Sequence, residues 1–307
     1  MSFPQPQGGD PSEVPPLTLL LLLLVAVLFG SLAGSSLVLA LSSAQGVELQ
    51  QLLQGIDESS PVSDRNFVRL ANLISHVFTF TVPVLVLAYI FYRKQWPSVL
   101  MLNRQPQGRN ILLSVFFILA AFPIAQTTYW INQQIPIPEW AREMESNATG
   151  MLKGLLVMES PWELMFNLLV VAVAPAIGEE LLFRGVLQRQ LERLSGAPHL
   201  AVWIAAVIFS AIHLQFEGFI PRMVLGAVLG YLFYWTRNLW VPIAAHFVFN
   251  GMQVIGQYVA ADKIESLNME EVQDPQWGAF AFALALLFGT GYYIWRNSQD
   301  APAPPDA

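Results

Sequence analysis

Gly178-Glu179-Glu180-Leu181-Leu182-Phe183-Arg184-Gly185 closes a strongly apolar run that begins near Leu164. Three ionisable groups at the end of such a run need a physical reason. At membrane depth each charge costs roughly 2.5–3.5 kcal/mol even on lenient insertion scales, so an intramembrane ionisable residue is a functional-site hypothesis by default. The surrounding composition says that the depth is real. The chain has 307 residues, 54% of them hydrophobic and only 12% charged, with a mean hydropathy of +0.49. A soluble domain carries about 25% charged residues. Several apolar runs of membrane-spanning length make this a polytopic, all-α membrane bundle.

Working outward, the periodicity predicts about eight transmembrane helices, near 17–41, 67–92, 110–131, 162–192, 199–215, 219–236, 240–259 and 276–295. Residues 1–16 and 297–307 read as polar tails flanking one membrane domain at 17–296, with no internal repeat. The first run is too long for a signal-peptide core, and no Lys or Arg precedes it, so it reads as a retained helix. Its Gly30 and Gly34 have the spacing that lets helices approach closely. The segment 136–161 reads as a surface-lying amphipathic helix. Nine of the 15 Lys and Arg fall on the side of the Arg93–Arg109 loop. That bias places both termini in the cytoplasm, with the plasma membrane as the expected location and lipids as neighbours. No basic stripe points to nucleic acid. The absence of cysteine removes thiol chemistry and Cys-ligated metals.

On a helix Glu180 and Arg184 share a face and neutralise each other, which gives them a structural role. Glu179 is turned about 100° away and is left over. An unpaired carboxylate in low dielectric holds a proton more readily, which suits a general base near neutral pH. Pro175 cannot donate to the carbonyl of Val171, and a bend there would open backbone to water beside Glu179. His213 lies near the end of the fifth span. On the seventh, His246, Asn250, Gln253 and Gln257 fall on one helical face, and a polar stripe on an apolar span must face a bundle interior or a cavity. Gly226 and Gly230 give the neighbouring helices room. His76, alone in the second span, reads as a packing residue.

These groups suit water-dependent peptide hydrolysis. Glu179, with His213, would hold and deprotonate a water; His246 and Asn250 would donate to the developing oxyanion. The same Glu179, His213 and His246 could instead ligate a divalent metal such as zinc, although no His-Glu-x-x-His helix is present. For all these groups to meet, the fourth helix must run unbroken through Arg184 to about Leu191.

Glu179-Glu180-x-x-x-Arg184, Phe209-x-x-x-His213 and His246-x-x-x-Asn250, in that order, resemble the three motifs of the CPBP (also called ABI) intramembrane proteases. That family includes type II CAAX prenyl endopeptidases and bacterial relatives. The resemblance covers about 162–260 and shows no departure from the motifs. It implies an eight-helix endopeptidase with a polar cavity opening toward the cytoplasm. Glu179 would activate water, His213 would assist, His246 and Asn250 would stabilise the oxyanion, and Glu180 and Arg184 would hold the motif in shape. It further implies a glutamate mechanism without an obligate metal, and a peptide or protein substrate, lipidated or not. Two alternatives use the same residues: a non-catalytic immunity or partner-binding protein on this fold, and a proton-coupled transporter. The chain lacks the paired broken helices that favour the transporter. A near-isosteric change at Glu179 separates catalysis from binding.

Overall fold

In a bilayer every backbone group must be satisfied within the protein, and apolar runs of this length do so as helices. The computed structural model describes residues 14–57, 59–264 and 274–299, and among them there is no strand. Most of both expected tails, at 1–13 and 300–307, lies outside the described residues.

The chain opens with α1 (Pro16–Gln45) and a short α2 (Leu49–Gly55). Then α3 (Val62–His76) runs through a π turn at Val77–Thr81 into α4 (Val82–Tyr92), followed by the single-turn α5 (Trp96–Val99). Next come α6 (Gly108–Gln133) and α7 (Glu139–Leu156). The fourth expected span is one unbroken rod made of α8 (Pro161–Asn167), a π segment at Leu168–Val173, α9 (Ala174–Glu180), a second π segment at Leu181–Gln188, and α10 (Arg189–Ser195). The required continuity past Arg184 is therefore met. The chain ends with α11 (Pro198–Ala211), α12 (Phe219–Thr236), α13 (Trp240–Ile264) and α14 (Trp277–Gln299).

Among the described residues, six of the eight expected spans are rods long and apolar enough to cross a membrane. The other two fall short for visible reasons. α11 has only 14 residues, and α13 is diluted by its polar side chains. The outer faces of α1 and α14 expose Leu28, Phe29, Leu32, Phe282, Phe288 and Tyr292. A band of this size on a water-soluble protein would be a liability, whereas lipid covers it without cost. The inner faces build two cores. One joins α1, α4 and the Leu181–Val186 stretch around Phe183, Phe209 and Phe233. The other packs α6 against α12, α13 and α14.

Gly30 and Gly34 work as expected. A Cβ on Gly30 would run into the backbone carbonyl of Phe78, and one on Gly34 would come within 2.9 Å of Phe78 Cβ. α1 thereby seats on the π turn that follows His76.

Arg65 and Arg69, two of the six cations counted on the side opposite the Arg93–Arg109 loop, are not solvated loop charges. Both are fully buried on α3, where they converge on Glu163. Arg69 Nη1 lies 2.7 Å and Arg65 Nη2 3.1 Å from Glu163 Oε1. Arg69 also donates to Asn167 Oδ1 at 3.1 Å and to the carbonyls of Leu155 and Val157. Ser160 caps α8 by accepting from the amide of Glu163 at 3.3 Å, which fixes the carboxylate's place in the first turn. This cluster clamps α3 to α8 and to the end of α7, and so sets the height at which α3 meets the Glu179 rod.

Candidate active site

Glu179 and Glu180 sit at the end of α9 with π segments on both sides. Such segments are rare, and they concentrate at functional sites because the extra residue re-aims side chains. Both glutamates are buried, at 5% and 0% exposure.

Glu180 does what its spacing predicts. Arg184 Nη1 lies 2.7 Å from Glu180 Oε1, and Arg184 Nη2 donates to the carbonyl of Gly226 at 2.7 Å. One turn on, Gln188 Nε2 repeats the contact at the carbonyl of Gly230, at 3.1 Å. Gly226 and Gly230 permit this approach, since a Cβ on either would lie about 3 Å from α11, at Ala206 Cα (3.1 Å) and Val202 Cγ1 (2.9 Å). Glu180 has a second partner that its spacing did not reveal. His246 Nδ1 lies 2.9 Å from the same Oε1.

Glu179 is not left unpaired. His76 Nε2 lies 3.2 Å from its Oε1, and His246 Nε2 lies 3.9 Å from its Oε2. His246, itself 2% exposed, therefore stands between the two carboxylates. The reading of His76 as a packing residue is corrected with this contact. The approach depends on Gly178, where a Cβ would lie 2.7 Å from Thr81 Oγ1 and 3.0 Å from His76 Cε1. Gly178→Ala is expected to destabilise the protein by about 1–3 kcal/mol through overpacking. Chemical unfolding in detergent checks this, and an unchanged midpoint would refute the close approach.

His213 lies two residues past the end of α11, in a turn rather than on the span where the periodicity placed it. Its Nδ1 donates to the carbonyl of Phe209 at 2.7 Å, which fixes the tautomer and leaves Nε2 as the acceptor. The next residue, Leu214, holds φ at 53°, a strained conformation for a branched side chain. Neighbouring elements hold the turn. Glu145 on α7 accepts from the amide of Phe216 at 2.7 Å, and Asn132 on α6 donates to the carbonyl of Phe216 at 2.8 Å. The Phe209 ring explains its own place in the motif. Its centroid lies 5.1 Å from the Arg184 guanidinium carbon, 5.1 Å from the His213 ring and 6.1 Å from the His246 ring.

Asn250 resolves the proline problem in an unexpected way. The Val171 carbonyl, which Pro175 cannot serve, accepts from Asn250 Nδ2 at 3.0 Å. The backbone is closed by a side chain from α13 instead of being opened to water. The four-residue polar stripe on α13 also divides. His246 is buried, whereas Gln253 is exposed and donates to its own helix at the Phe249 carbonyl, 3.2 Å away.

Among the described residues, no three of His, Cys, Asp or Glu stand close enough together to hold a metal ion. Glu179, His213 and His246 as placed do not form such a group and do not fit zinc. A cavity of about 590 Å³ lies between the 102–106 loop and α13, lined by Leu102, Pro106, Ile111, Trp240, Ile243 and Phe247. It contains none of the candidate residues, so it is not the polar cavity expected at the site.

The family model described as type II CAAX prenyl endopeptidase Rce1-like matches residues 161–252. Over this segment the chain is similar to that family. The segment holds Glu179, Glu180, Arg184, Phe209, His213, His246 and Asn250, and stops well short of His76. Two relatives from Bacillus subtilis (strain 168) are similar to the chain. "Uncharacterized protein YpbD" is 32% identical over 135 residues, covering 41% of this chain and 65% of that protein. "Putative membrane peptidase YdiL" is 28% identical over 154 residues, covering 50% of this chain and 61% of that protein. The chain thus spans a little under two thirds of the length of the relatives that it matches. No solved structure matches it significantly.

Proposed function

We propose that this protein is an intramembrane endopeptidase in which Glu179 activates a water against a peptide carbonyl. The observation that carries the reading is the placement of His246 between two buried carboxylates. Its Nδ1 is 2.9 Å from Glu180, and its Nε2 is turned toward Glu179 Oε2 at 3.9 Å. The Rce1-like match over the same residues and the name of one relative support a peptidase.

In this reading Glu179 takes a proton from water as the oxygen attacks, and later returns it to the leaving amine. The lone pair on His213 Nε2 accepts from the same water and orients it. An ionised carboxylate only accepts hydrogen bonds, so His246 Nδ1 carries a hydrogen toward Glu180. In its imidazolium form His246 also presents Nε2–H to the oxyanion. Asn250 has two amide hydrogens; one is spent on Val171, which holds the side chain still, and the other serves the oxyanion. Donors that are fixed before the reaction are worth far more than donors that must reorganise.

The substrate class is a peptide or protein reached within the membrane. Both termini are assigned to the cytoplasm, with the plasma membrane as the location. Burial removes Arg65 and Arg69 from the opposing side and Arg184 from the favoured one, leaving eight cations against four in support of that bias.

Comparing protein N-termini in membranes that carry wild-type or Glu179→Gln protein tests the proposal. At least one membrane protein is expected to accumulate uncut in the variant. Identical N-termini in both membranes would favour the non-catalytic binding role.

A further inference from the structure

His76 lies outside the Rce1-like segment and outside every motif, yet its contact to Glu179, at 3.2 Å, is shorter than that of His246, at 3.9 Å. It is not there by default. Its ring stacks on Phe80 at 4.6 Å and 27°, the π turn Val77–Thr81 begins at the next residue, and Gly178, lacking a Cβ, leaves the space that the ring needs. The clamp of Arg65 and Arg69 on Glu163, two to three turns back, fixes the same helix.

The ring's two nitrogens differ. Nε2 faces a carboxylate oxygen, while Nδ1 is buried and has no hydrogen-bond partner among the described residues. Against an ionised carboxylate, Nε2 must be the one that carries hydrogen. A hydrogen on Nδ1 as well would be a buried donor with no acceptor, so the neutral Nε2–H tautomer is the one that fits.

We propose that His76 is a positioning residue: through Nε2–H it pins Glu179 Oε1, leaving Oε2, on the His246 side, as the oxygen that takes the proton from water. The role rests on the peptidase reading above. The terminal torsion of a glutamate is broad, so without the pin the reactive oxygen would spread over several orientations. A misplacement of about 1 Å at a reacting group costs about 10²-fold in rate.

A histidine that only filled space between helices would be replaceable by any ring. The variants therefore separate shape from donor. His76→Phe keeps the ring and the stacking on Phe80 but loses the donor. His76→Gln puts an amide N–H near the position of Nε2. His76→Asn carries its amide nitrogen near Nδ1, out of reach of Glu179. The full chain in vesicles of phosphatidylethanolamine and phosphatidylglycerol would be assayed on peptides spanning the cut sites recovered from membranes. His76→Phe and His76→Asn are expected to lower kcat about 30- to 100-fold with KM within about twofold of wild type. His76→Gln is expected to stay within about fivefold of wild type in kcat. If His76→Phe does not fold, the Gln and Asn pair carries the same contrast. Equal kcat in Gln and Asn, a wild-type rate in Phe, or a loss confined to KM would overturn the role. Glu179→Gln is run alongside. Wild-type turnover by that variant overturns Glu179 as the general base, on which the role of His76 rests, whereas a dead Glu179→Gln beside a fully active His76→Phe overturns only the role of His76.

Discussion

Arg184→Leu is expected to destabilise the protein by about 3–5 kcal/mol, the range found when one partner is removed from a buried ion pair. The cost has two sources. Glu180 is wholly buried, and its carboxylate would lose the guanidinium that lies 2.7 Å away. The carbonyl of Gly226 would lose its side-chain donor as well. Leu restores none of this, although it fills part of the volume between Phe183 and Phe209. Arg184→Lys is expected to fall between the two, because a single ammonium replaces the charge but not the fork that reaches both acceptors. Chemical unfolding of the three proteins in one detergent gives the order wild type, Lys, Leu. If Leu matched the wild type, Glu180 would have to be neutral and the division of labour between the two glutamates would be wrong.

The fold was legible where its cause was local. Apolar runs are a property of a window, so helices stand at the expected positions, with boundaries off by up to about five residues, and six of them are long and apolar enough to cross a membrane. The unbroken rod through Arg184 was required because Glu179 and His213 could not otherwise meet. Less could be read where tertiary contacts decided the outcome. Arg65 and Arg69 look like loop cations because α3 starts within a polar stretch; their burial depends on Glu163, almost a hundred residues away. The available signal was two arginines one turn apart entering an apolar run. α11 stops before His213 because Asn132 and Glu145, from two other elements, hold the turn that follows.

The site shows the same division. Spacing alone paired Glu180 with Arg184 and put His246 and Asn250 on one face. It could not show that His246 bridges both glutamates, since that depends on how α13 crosses α9. It identified the Val171 carbonyl as orphaned by Pro175 but not the remedy, because Asn250 was already given another task. His76 was missed because a lone histidine in an apolar helix gives no partner by spacing. The only hint was Gly178, a residue with no side chain beside the residue that matters most.

The Arg184 variants test the frame that holds the site; the central claim concerns the atom that reacts. Glu179→Gln changes one oxygen to an amide nitrogen and leaves the volume, the neighbours and the distance to His76 nearly as they are. It removes the ability to take a proton. A positioned general base contributes about 10²–10⁴-fold to a rate, and the chain offers no cysteine to take over. The decisive measurement is turnover by purified Glu179→Gln protein in vesicles, on a peptide that the wild type cuts, with its unfolding midpoint measured on the same sample. The account predicts a rate at least about 10²-fold below wild type with an unchanged midpoint. A folded Glu179→Gln protein that cuts the peptide at the wild-type rate would contradict it.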